Sequence, residues 1–200
     1  MPKTFTEAER AYIQTRLREE AKQCLILYGV RKTTVDELVR RVQIPKGTFY
    51  LFYPSKEHLL FDAICSMHDM FQEKLMKEIA VLREGLDARR LTDILFRLYQ
   101  TLDESALPKL LASGEIELLF RKLPPELHAR HAQMDDFRVE ELLASIPSMK
   151  AARVPVFSAA LRGIFLSLLY KREVGADVYD DALYVMIRGV VLQMFEGDAV

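Results

Sequence analysis

Between Thr33 and Lys56 the chain gathers two adjacent hydroxyls (Thr33, Thr34), then Lys46, Gly47, Thr48, Tyr50 and Tyr53, and finally Lys56. A cation, a residue without a side chain and several hydroxyls within a few positions form a set suited to phosphate oxygens and base edges. Ammonium and hydroxyl groups meet phosphates, and short polar side chains reach the donors and acceptors of a groove. Nothing in the set resembles a nucleophile with its base.

Other chemistry has weaker support. The chain shows no phosphate loop and no paired carboxylates in a recognisable setting, so an all-α enzyme or small-molecule carrier without DNA binding is the lesser alternative. His128, His131 and Asp135 recur at helical spacing and could hold a divalent ion, but such a cluster is more often a solvated face. No metal and no cofactor are expected. Cys24 and Cys65 sit on apolar stripes and read as core residues.

The polar set needs elements to hold it. Apolar positions at spacings of three and four run through the whole chain and strand alternation is nearly absent, which predicts an all-α fold of about nine helices. Thr6-Glu-Ala-Glu9 spells a capping box that opens the first helix, which Gly29 closes. A second helix starts behind Thr33 or Thr34 and runs to Val42. Pro45 suits the start of a third, Ile44 before it is extended, and Pro54 ends it after about two turns. Ser55 caps a fourth, long helix. Helices this short are unstable alone, so packing against the first must dictate them. Two short helices joined by a three-residue turn make a helix-turn-helix, whose second helix enters the major groove.

Half of the 200 residues are hydrophobic and 28% are charged, a globular balance. Residues 1–60 carry 11 Lys and Arg against 7 Asp and Glu, whereas residues 61–200 carry 17 against 22, so the front faces the anionic partner. Two cysteines are too few for a disulfide scaffold, and no leader opens the chain, so the cytoplasm is the expected compartment. Apolar runs fall short of the roughly 20 residues that span a bilayer, so no membrane contact is expected.

The segment "GTFYLFYPSKEHLL", behind "TTVDELVRR" and a first helix ending "LILYGV", resembles the TetR family of transcriptional regulators over residues 10–64. The resemblance implies an all-α homodimer with a helix-turn-helix DNA-binding domain, here residues 1–54. A helical ligand-binding and dimerisation domain, residues 55–200, would follow. It implies a cytoplasmic regulator, most often a repressor, that binds palindromic operator DNA and is released by a small-molecule inducer. It places Thr34 near a phosphate, Lys46, Gly47 and Thr48 at the leading end of the recognition helix, Tyr50 in the groove and Lys56 at the DNA backbone. Tyr53 stands where the family has Phe. Gln43 stands where it has Gly, and a left-handed residue there would cost roughly 1–2 kcal/mol.

Two further sets come from the later helices. Met67, Met70, Phe71, Phe96, Tyr99, Phe120, Met134 and Phe137 are bulky and adaptable, and are expected to line an inducer cavity for an apolar or amphipathic ligand. Ala159, Gly163, Phe165, Leu168, Tyr184, Ile187, Val191 and Met194 are expected to pair with their copies as a four-helix interface.

Overall fold

A computed structural model describes residues 5–81, 85–105, 107–127 and 153–196. Among them every regular element is a helix. The chain divides into two compact units, one of residues 1–68 with 110–128 and one of 69–109 with 129–200. The unit holding the helix-turn-helix therefore takes in more than residues 1–54.

In the first unit, α1 (Glu7–Lys32) opens on the expected capping box: Thr6 Oγ1 accepts from Glu9 N while the Glu9 carboxylate accepts from Thr6 N. Its stripe Ile13, Leu17, Ala21, Cys24 and Leu25 is buried. Gly29, at φ 71°, breaks the helical path, and Val30–Lys32 continues as a separate turn. The kink needs glycine twice over, because φ is positive and a Cβ would lie 3.2 Å from Glu115 Oε2. Two short helices follow, α2 (Val35–Val42) and α3 (Lys46–Phe49), and then α4 (Lys56–Val81), whose first half belongs here. Leu38, Phe49, Leu59 and Leu60 are fully buried, so α2 and α3 are held by a shared core rather than by propensity. From far along the chain, α7 (Glu115–Phe120) packs on α1, burying Ile116 and Leu119.

The second unit is built from the rest of α4, α5 (Ala88–Glu104), α8 (Val154–Ser167), the short α9 (Lys171–Gly175) and α10 (Tyr179–Glu196). The short α6 (Leu107–Ala112) precedes α7. Asp87 caps α5 by accepting from Arg90 N. The core joins Leu91, Ile94 and Leu95 of α5 to Phe157, Leu161 and Ile164 of α8 and to Leu183, Ile187 and Val191 of α10. Tyr99 crosses this core, its hydroxyl donating to Leu161 O at 2.7 Å, and burial pushes the phenol well above its ordinary pKa.

Val154–Gly175 is long and apolar enough, by length and composition, to cross a bilayer, against the expectation that no segment is. Single apolar runs understate it because α8, a 3-10 turn and α9 follow one another without a break. Its stripe Val154, Phe157, Leu161, Ile164 and Leu168 is buried within the second unit, which accounts for one apolar face.

Candidate nucleic-acid interface

The helix-turn-helix is assembled by local hydrogen bonds. Thr34 Oγ1 accepts from Glu37 N and opens α2. Gln43 closes it in the left-handed region, at φ 61° and ψ 44°, with its amide donating to Val39 O. Ile44 N also donates to Val39 O, at 3.1 Å. The turn thus keeps its left-handed geometry without glycine.

The third helix is shorter than its sequence suggests, at four regular residues. Pro45 sits just outside it with extended ψ, and beyond Phe49 the chain tightens: Leu51 N bonds to Thr48 O, Phe52 N to Phe49 O. Gly47 and the β-branched Thr48 are weak helix formers, and Pro54 forces the preceding residue out of the helical region. What remains is one rigid turn carrying Lys46, Gly47, Thr48 and Tyr50. Lys46, Gly47 and Tyr50 are exposed and Thr48 half-exposed. A Cβ on Gly47 would meet no atom of the chain within 4 Å, so the missing side chain serves nothing internal. Tyr50, 52% exposed, stands edge-on to the buried Phe49 ring at 5.3 Å, which fixes its direction.

Lys46 is not free. Its Nζ lies 2.9 Å from Asp36 Oδ1 and 3.0 Å from Asp36 Oδ2, and the hydrogen bond holds the ammonium above its ordinary pKa. Behind this rim, Glu37 pairs with Arg40 at 2.7 Å and Arg41 at 2.6 Å, and those hydrogen bonds depress its carboxyl pKa. Arg41 also reaches Tyr28 OH at 3.0 Å and lies over that ring.

Two residues expected at the DNA are turned inward. Thr33 is fully buried, its hydroxyl donating to Gly29 O at 2.6 Å, because it closes the α1 kink while Thr34 takes the cap. Tyr53 is buried, its ring 6.2 Å from that of Phe49 and its hydroxyl donating to Asp62 Oδ2 at 2.6 Å. Burial and then that bond push the phenol up to about 12. Arg18 Nε reaches the same oxygen at 3.0 Å, so α1, α4 and the end of the recognition turn share one polar joint. Lys56 is half-buried and donates to Val30 O at 2.8 Å and Thr33 O at 2.5 Å, capping the carbonyls at the end of α1. Burial lowers its pKa.

A family model described as bacterial regulatory proteins, tetR family, matches residues 17–63, the stretch that builds this joint and rim. The chain belongs to the tetR family. An uncharacterized HTH-type transcriptional regulator of Bacillus subtilis (strain 168), YuxN, is 32% identical over 84 residues, spanning 42% of this chain and 26% of that protein. The fold is shared with solved structures at low identity. SCO4454, a TetR-family transcriptional regulator from Streptomyces coelicolor, superposes with a TM-score of 0.61 at 15% identity, over 93% of this chain and 97% of that one. The TetR family repressor AlkX from Dietzia sp. strain DQ12-45-1b gives 0.63 at 12%, over 92% and 97%. A Saccharomonospora viridis protein solved in complex with choline gives 0.58 at 14%, over 91% and 96%.

Residues expected for ligand and dimer fare unevenly. Met67 and Phe120 belong to the first unit and Met70, Phe71, Phe96 and Tyr99 to the second, while Met134, Phe137 and the trio His128, His131 and Asp135 lie outside the described residues. Met70 is exposed, and Tyr99 is committed to the core. Leu168, Ile187, Val191 and Met194 are buried inside their own chain, and Phe165 packs partly against the same core. Tyr184 is half-buried, stacked edge-on to Phe96 at 5.3 Å with its hydroxyl on Asp93. These six are corrected to intrachain packing, because the sequence cannot tell which of two apolar stripes on one helix faces inward. Ala159 and Gly163 remain exposed, on the opposite stripe with Val156 and Leu166.

Proposed function

We propose that the protein is a DNA-binding transcriptional regulator, most simply a repressor, acting in the cytoplasm as a homodimer on palindromic operator DNA. The observation that carries this reading is the rim Lys46, Gly47, Thr48 and Tyr50: exposed, rigid, and placed on a turn whose own packing does not use them. Thr34, exposed at the start of α2, adds a hydroxyl and free helix-end amides for a phosphate. The half-buried Lys56 acts through α1 rather than as a free cation.

Two copies supply the two-fold symmetry that an operator mirrors, with half-sites about 34–36 Å apart or a related spacing. The outer stripe supports that pairing: Val156, Ala159, Gly163 and Leu166 on α8 recur at three and four, and α10 exposes Val185 and Gly189. Small residues there allow close helix approach. The functional division remains DNA binding in 1–54 and ligand binding with dimerisation in 55–200. An apolar or amphipathic inducer, held among adaptable side chains such as Phe71 and Phe96, would lower operator affinity; a solved relative of this fold holds choline. Coupling of this kind is reciprocal, so operator lowers inducer affinity by the same factor.

Selection of bound sequences from a random duplex pool by the purified protein tests the reading. Enrichment of a palindrome is the expected result, and a pool that stays random after repeated rounds refutes it.

A further inference from the structure

The carboxylate on Lys46 is an anomaly on a face meant for a polyanion. Asp36 is 74% exposed at its side chain and repels phosphate, yet it occupies both oxygens with the one cation at the leading end of the recognition turn. It is not needed to open α2, because Thr34 caps that helix, and the neighbouring Glu37 is taken up by Arg40 and Arg41. Two carboxylate oxygens at 2.9 and 3.0 Å present the ammonium with what a phosphate would offer. We propose that Asp36 is a specificity-determining residue that suppresses sequence-independent binding by holding Lys46 away from phosphates. A duplex of arbitrary sequence gains a phosphate contact at Lys46 only by breaking the pair, and leaves a free carboxylate against its backbone. A duplex that offers a cytosine amine to Asp36 and guanine acceptors to Lys46 satisfies both groups at once.

This inference rests on the DNA-binding reading above, and one set of measurements separates the two. Affinity for a random-sequence 30-bp duplex is measured across a salt series for the wild type, D36N, K46A and D36N/K46A, with far-UV circular dichroism confirming each fold. D36N is expected to bind random duplex several-fold more tightly than the wild type, with a log–log salt slope steeper by about 0.9, one additional phosphate neutralised. In the K46A background the same change is expected to do little. Equal or weaker binding by D36N overturns the proposal. So does an equal gain in the K46A background, which would mark plain loss of negative charge. Failure of all four proteins, wild type included, to bind at low salt would instead remove the DNA-binding reading itself.

Discussion

Gly47 and Tyr53 separate two duties that look alike in sequence. Gly47 faces open space, so Gly47→Ala should leave thermal stability unchanged or raise it by up to about 1 kcal/mol through helix propensity, while weakening duplex binding by crowding the approach. Unfolding and binding measured on the same variant check both signs. Tyr53 instead serves the interior. Tyr53→Phe should cost about 1.5 kcal/mol at neutral pH, the scale of a hydrogen bond to a charged acceptor. Its folded pKa is raised to about 12 from an ordinary value of 10, so the folded state retains the proton longer than the unfolded one. That contribution is complete below pH 10 and is lost as pH rises through 12. The stability difference between wild type and Tyr53→Phe should therefore shrink across that window in denaturant titrations. A constant difference would contradict the assignment.

At the scale of elements, the turn between α2 and α3 carries a local cost. Gln43 is the one left-handed residue other than glycine among the described residues, and Gln43→Gly should stabilise the chain by up to about 1 kcal/mol in chemical denaturation, the relieved strain being partly offset by greater unfolded-state freedom. The capping box, the α2 start at Thr34, the left-handed turn and the extended Ile44–Pro45 step were all legible, because each depends on residues within four positions of one another. The shortness of α3 was less so, since weak helix formers around Gly47 and the pull of Pro54 act together. Long-range partners left no local signal. Asp36 meets Lys46 across a turn, Arg18 meets Asp62, and Glu115 reaches Arg31 N from another part of the chain. Inward direction was also illegible where a helix carries two apolar stripes, as α8 does, and there the buried stripe was mistaken for the pairing surface.

At the scale of the whole molecule, two functions are proposed for two units: a rigid joint that presents the rim and a helical core whose outer stripe pairs with a copy. Gly163→Arg places a long charged side chain on that stripe without touching the core beneath it. It should convert the dimer to a monomer by light scattering at micromolar concentration while leaving helicity intact. A variant that remains dimeric would move the interface elsewhere. The central claim, that the exposed turn at Lys46–Tyr50 meets duplex DNA, is tested most directly by comparing the wild type with K46A/Y50A on the duplex enriched from a random pool. Two lost contacts of about 1–2 kcal/mol each predict roughly a hundredfold weaker binding with unchanged thermal unfolding; equal affinity of the two proteins for that duplex would contradict it.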